Sequence, residues 1–403
     1  MKSVLAALTV IAAIQFASVE TAHQAASSAL RQPAFTPVQG SPIRVGPMAG
    51  EPAVGDCNGD GNLDIVLACG TCCGSQPSPE SGHVVVLVGD GRGGFTPSKG
   101  SPIKVAPSAR KIALGDVNRD RRIDILVAQH DSYDITVLLG DGQGQFKTAP
   151  ASPVPAASGP RAHTHDITTA DVNGDANLDV LTTNANDNSV SILLGDGTGR
   201  FNPAEGSPIR AGRHPYDVVS INDVNADGKL DLITPNIHAN AVTVMLGDGR
   251  GRFAAATGSP FPLGPRPGYV AVEDMNGDGK LDIVAAHDDD PLVAVLFGDG
   301  RGGFQPAQYS PLRTAHAVWG TALGDVNRDG RKDIVLASPL GHGVIVMLGD
   351  GKGGFEPAAS GLIPAGKLTN YVALGDFNND GRPDIVASNY ASGDVAVFLN
   401  STR

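Results

Sequence analysis

Aspartate and asparagine recur along this chain at a spacing that suits a hard cation. The pattern D-x-N-x-D-x-x-x-D begins at Asp56, Asp116, Asp171, Asp223, Asp274, Asp325 and Asp376, at intervals of 51 to 60 residues. Side-chain oxygens at positions 1, 3, 5 and 9, with the carbonyl of position 7, make an oxygen-only cage of the type that holds Ca2+ in a tight loop. The expected ligands of the first loop are Asp56, Asn58, Asp60 and Asp64 with the Asn62 carbonyl. The second and third loops offer Asp116, Asn118, Asp120 and Asp124, then Asp171, Asn173, Asp175 and Asp179. The fourth and fifth offer Asp223, Asn225, Asp227 and Asp231 with the Lys229 carbonyl, then Asp274, Asn276, Asp278 and Asp282 with that of Lys280. The last two offer Asp325, Asn327, Asp329 and Asp333 with the Arg331 carbonyl, then Asp376, Asn378, Asp380 and Asp384 with that of Arg382.

Position 6 of such a loop wants glycine for its sharp turn. It is glycine in five loops, but Arg121 and Ala176 in the second and third, so five to seven structural Ca2+ sites are expected. Asp-Asn-Gly clusters also make good turns unaided, yet seven recurrences of one ligand spacing weigh against turn formation alone. A cage saturated with carboxylates leaves no open catalytic position.

A fixed period near 51 residues means one supersecondary unit copied in tandem. Within each unit, apolar runs of four to six residues such as Asp333-Ile-Val-Leu-Ala-Ser338 and Gly343-Val-Ile-Val-Met-Leu348 are bounded by Gly, Asn or Asp and read as strands. A G-D-G-x-G-x-F segment follows, as in residues 89–95 and 349–355, and its glycines supply the positive φ that hairpin turns demand. The proline-rich stretch after each Phe cannot donate fully to a ladder and must be an edge strand. Four antiparallel strands repeated seven times predict an all-β, seven-bladed β-propeller. The chain ends support closure: Val395–Leu399 stops where its hairpin should begin, and FTPVQGSPIRV (35–45) matches FTPSKGSPIKV (95–105) at eight of eleven positions. The first segment therefore completes the last blade, and residues 35–400 form a single propeller.

These motifs together resemble the FG-GAP/VCBS-repeat family of calcium-binding propellers, related to the integrin α-subunit head. The resemblance covers roughly Phe35 to Leu399. It implies extracellular adhesion, glycan binding or, in some bacterial members, polysaccharide lyase activity, and does not select among them.

The net charge of −12 argues against nucleic-acid or anionic-membrane partners. Half of the 42 acidic residues lie in the seven loops, so the acidity reads mainly as metal-ligand charge. Residues 1–26, with Lys2 ahead of the apolar run Ser3–Ala17, read as a secretory signal peptide, and 27–34 as a linker. No later segment is apolar enough to span a bilayer. A secreted or periplasmic monomer is expected. Cys57, Cys69, Cys72 and Cys73 all fall in the first repeat. In an oxidising compartment they are expected to form two disulfides, with Cys72 and Cys73 each joined to Cys57 or Cys69. A zinc site of all four cysteines is the less favoured reading, because the paired C-x2-C spacing is missing.

Antiparallel connections alternate between the two ends of a blade, so cation loop and hairpin share one face. Nine of the ten histidines map to the other: His83, His130, His163, His165, His214, His238, His287, His316 and His342. Loops entering first strands there also carry Arg110, Tyr216, Asp217, Tyr269, Trp319 and Asn370. Asn184, Asn236 and Asn389 read as turn residues. The densest group, His130, His163, His165 and His214 with His238, suits a metal or acid–base chemistry near neutral pH. The expected ligand site comprises His130, His163, His165, His214, Asp217 and Trp319. The leading functional reading is a Ca2+-stabilised module binding a glycan or an extracellular protein. Aromatic residues at 5% disfavour the glycan. The alternative is a lyase using a His or Tyr base and an Arg against a uronate.

Overall fold

The computed structural model describes residues 30–70, 82–157, 163–216 and 220–402. The described residues form seven antiparallel sheets arranged as the blades of one closed ring. In blade 1 the strands run Ala53–Gly55, Asp64–Cys69, His83–Gly89 and then an edge in two pieces, Phe95–Pro97 and Ile103–Lys104. The first strands of successive blades neighbour one another around the ring and line its axis. Every second strand is buried along its whole length, which explains why these strands read as unbroken apolar runs.

The edge strand is interrupted because proline leaves gaps in its donors, and a serine caps the strand beside it. Ser101 Oγ accepts the Val86 amide at 3.1 Å, and Ser152, Ser207, Ser259, Ser310 and Ser41 do the same for blades 2 to 5 and 7. Seven apolar clusters sit between neighbouring blades. Ring closure follows the expected plan: Phe35 pairs with Asn400, Pro37 with Phe398 and Ile43 with Val395. Blade 7 is thus built from Thr369–Gly375, Asp384–Asn389, Asp394–Asn400 and the two pieces Phe35–Pro37 and Ile43–Arg44.

Cys57 and Cys69 are buried free thiols, which departs from the disulfides expected of them; Cys72 and Cys73 lie outside the described residues. The reason is positional. Cys57 occupies loop position 2, where the other repeats place Val117, Val172, Val224, Met275, Val326 and Phe377, all buried apolar residues. It therefore acts as a small hydrophobe in the cluster between blades 1 and 2, while Cys69 packs between blades 7 and 1. Burial pushes both thiols up to about 12, well away from reactive thiolates.

Candidate functional site

All seven D-x-N-x-D loops fold alike. In the first, Asp56 Oδ1 accepts the Gly59 amide at 2.7 Å and Oδ2 the Gly61 amide at 2.9 Å, while Asn58 and Asp60 accept the amides two residues on. Positions 4 and 6 are left-handed throughout. Arg121 at φ 65° and Ala176 at φ 66° take up the conformation that Gly61 adopts at φ 85°. The two loops lacking glycine therefore keep the same backbone, and their first carboxylates hold the same amides.

Position 9 carries a second task. Asp64 is fully buried; its Oδ2 accepts the Cys57 amide at 2.8 Å and its Oδ1 the Gly89 amide at 2.9 Å. The carboxylate thus ties the loop to the end of the third strand, and the pair of bonds recurs in every blade. Each oxygen keeps a further lone pair. The donor set of all-oxygen side chains fits a hard cation such as Ca2+. Asp60 and Asp175 suit one further: the amides of Asn62 and Asn177 hold their carboxyls below the usual range, ionised. The side chains of Lys229 and Lys280 turn back to Asp227 and Asp278 at 3.4 and 3.2 Å, leaving their carbonyls as the position 7 donors.

The hairpin shares this face. Asp90 Oδ1 accepts the Arg92 and Gly94 amides, each at 2.8 Å, so it serves the turn. Gly93 donates to the Phe377 carbonyl, Gly199 to Val117 and Gly251 to Val172, each joining a hairpin to the cation loop of the preceding blade.

The opposite face is unlike from blade to blade. His130 follows the second strand of blade 2 (Asp124–Gln129), and His163 and His165 open the first strand of blade 3 (Thr164–Ala170). His214 precedes blade 4 and His238 follows its second strand (Asp231–Asn236). These five come together as the sequence indicated. Ring centroids of His130, His163 and His165 lie 4.4 to 5.0 Å apart, and His238 stacks on His214 at 4.3 Å. Tyr216 extends the strip, 4.1 Å from His165 and 6.3 Å from Trp319. Burial, with His238 and His163 nearby, pushes His214 down to about 4 and keeps it neutral.

Asp217 lies outside the described residues. Trp319 packs against the core between blades 5 and 6. Three of the other histidines serve locally: His83 faces the Val45 carbonyl at 3.0 Å, His287 that of Pro265, and His342 accepts the Leu368 amide at 3.2 Å. Asn184, Asn236 and Asn389 end their second strands and bond Ser191, Thr243 and Asp394 within their own blades.

A group of which the sequence reading picked out only Arg110 and Tyr269 crosses the axis at this end. Lys111 of blade 2 is 2% exposed and pairs with Glu51 of blade 1, which also accepts the Tyr269 hydroxyl of blade 5. The Lys111 ammonium sits 4.4 Å from the Tyr371 ring centre of blade 7, and Arg110 donates to the Tyr371 hydroxyl at 3.2 Å. Burial, then Glu51, raises the Tyr269 hydroxyl well above its ordinary range. That is the wrong direction for a general base. The signal was available: Glu51, Lys111, Asp166, Tyr269 and Tyr371 all stand five residues before a first loop aspartate.

The FG-GAP-like repeat family matches residues 56–127, 116–182, 171–234, 223–285, 274–336 and 325–387. The chain belongs to this family, and its fold is the FG-GAP β-propeller related to the integrin α subunit. It is 31% identical to human integrin alpha-IIb over 156 residues, covering 32% of this chain and 15% of that one. Against Drosophila melanogaster integrin alpha-PS3 it is 36% identical over 101 residues, 21% of this chain and 9% of the other. The chain thus spans a small part of the length of the integrins it matches. Among solved structures, an Agrocybe aegerita lectin that recognises non-reducing terminal N-acetylglucosamine superposes with a TM-score of 0.53 at 19% identity, covering 89% of this chain and 85% of the lectin. Among the described residues no helix is long and apolar enough to cross a membrane.

Proposed function

We propose that this chain is an extracellular binding module, exported by residues 1–26, monomeric, and stabilised by Ca2+ in its seven loops. Its ligand is a protein, with a glycan as the second reading. The observation that carries this is the contrast between the faces. One repeats the same loop and hairpin in every blade, whereas the other presents Arg110, His165, Trp319 and Asn370 at a single register position. A rigid scaffold with unlike polar residues gathered at one mouth is how propeller-type modules recognise one partner. The similarity to integrin α chains favours a protein ligand, and the few aromatic residues weigh against a sugar platform.

The test is binding of the purified protein to arrays of extracellular proteins and of glycans, in calcium. His163→Ala with His238→Ala should abolish the binding found, and Arg92→Ala with Arg301→Ala at the hairpin tips should not. The reverse pattern would place recognition on the calcium face and overturn this reading.

A further inference from the structure

The trio His130, His163 and His165 is unlike anything on the calcium face. Their ligand nitrogens all lie within 4.8 Å of one another, and among the described residues they are the one such group of His, Cys, Asp or Glu. We propose that these three histidines bind a single first-row divalent metal ion, zinc foremost, independently of the calcium loops.

Three observations carry the assignment. The first is donor chemistry. Imidazole nitrogen suits Zn2+, Cu2+ and Ni2+ and discriminates against Ca2+, so the two faces select different ions. A tetrahedral ion with Zn–N bonds of about 2.1 Å wants nitrogens roughly 3.4 Å apart, so binding would draw the rings slightly closer than they now stand.

The second is the outer partner. His130 is fully buried, yet its Nδ1 meets the Asp131 carboxylate at 2.7 Å. A carboxylate accepting from Nδ1–H fixes the tautomer that presents an Nε2 lone pair, and it raises the basicity of that nitrogen. This is the usual arrangement behind a metal-bound histidine.

The third is rigidity. The Thr164 amide donates to the His130 carbonyl at 3.0 Å, and the Ala185 amide to that of His163 at 2.9 Å. The three rings stand edge to face at 71° to 80°. The backbones that carry the ligands are therefore fixed by two blades before an ion arrives, and only the rings need adjust. His214, 5.8 Å from His163 by ring centres, stands beside the trio. Three neutral imidazoles leave the ion its full charge, and the fourth position takes water or an anionic oxygen.

The experiment is titration of the untagged protein with ZnCl2 by calorimetry, in millimolar Ca2+ so that the carboxylate loops are filled. Co2+ is used in parallel for its absorption as a tetrahedral ion. One equivalent of zinc per chain is expected. His165→Ala and His163→Ala should each weaken it about 100-fold, and Asp131→Asn about 10-fold, in line with outer-partner losses of about 10–100-fold. His316→Ala should leave it unchanged. Because His165 is buried and its variant is the one at risk of misfolding, the half-exposed His163 decides the matter, with melting curves taken without zinc. Absence of stoichiometric zinc binding, or binding that survives His163→Ala undiminished, would overturn the proposal.

Discussion

Asp333 holds the Gly349 amide at 2.9 Å across sixteen residues, and its other oxygen holds the Val326 amide at the same distance. One carboxylate thus fastens the cation loop to the third strand. Glycine is required there because a Cβ on Gly349 would fall 2.1 Å from the Lys332 carbonyl. Blade 7 has Asn400 instead, whose side chain donates to the matching carbonyl of Pro383 at 3.0 Å.

Asp333→Asn should destabilise the fold by about 1–3 kcal/mol, since the amide group offers only one acceptor to two buried N–H groups. Urea denaturation in calcium and in chelator would measure it.

The pH dependence without calcium follows from the same carboxylates. Burial, opposed by the two amides and aided by the loop's other aspartates, pushes Asp333 up to about 7 and Asp124, Asp179, Asp282 and Asp384 to about 6; Asp64 and Asp231 are raised as well. A raised folded-state value means stability present below the unfolded value of 3.8 and lost as pH rises through 6 to 7. His214 and His287, both lowered, act oppositely as pH falls below 6.5. Seven carboxylates outweigh two imidazoles. In chelator the melting temperature should therefore be higher at pH 5 than at pH 7.5, and calcium should reverse that order.

Removing calcium at pH 7.5 should lower the melting temperature. A site filled at 100 times its dissociation constant contributes about 2.7 kcal/mol. Calorimetric scans with and without chelator, metal content verified, would check this.

Lys111→Met should cost about 3–5 kcal/mol, because it leaves Glu51 charged and unpaired. Lys111→Met with Glu51→Gln should recover a substantial part. A double-mutant cycle in denaturant measures the coupling directly.

Arg121→Gly should be stabilising by roughly 0.5–1 kcal/mol. It relieves a left-handed side chain worth about 1–2 kcal/mol, less the added chain entropy of glycine. The readout is the denaturation midpoint in calcium.

Seven blades, their inner strands and the closing segment were legible because each rested on a repeat, and a repeat averages over local exceptions; the break of each edge strand into two pieces was not. The histidine cluster was legible for a related reason: strand alternation places loop ends on a face whatever their sequence. What escaped were departures that only packing reveals. Cys57 looked like a disulfide partner until its place in the Val117–Phe377 series was clear. Lys111 drew no reading of its own, because only a comparison of its register across blades sets it beside Glu51, Tyr269 and Tyr371 of blades 1, 5 and 7. Trp319 keeps its place on the varied face and also packs, partly buried, against the core between blades 5 and 6.

The pairing of Phe35 with Asn400 makes the ring a clasp whose two halves emerge from the ribosome far apart in time, with six whole blades between them. At about 5–20 residues per second, the first half waits roughly 20 to 70 s for the second. Blades 1 to 6 complete themselves from contiguous chain in the meantime, while Asp394–Asn400 is the last strand of the ring to emerge. The edge of blade 7 is therefore made after every other blade of the ring, with its partner already waiting.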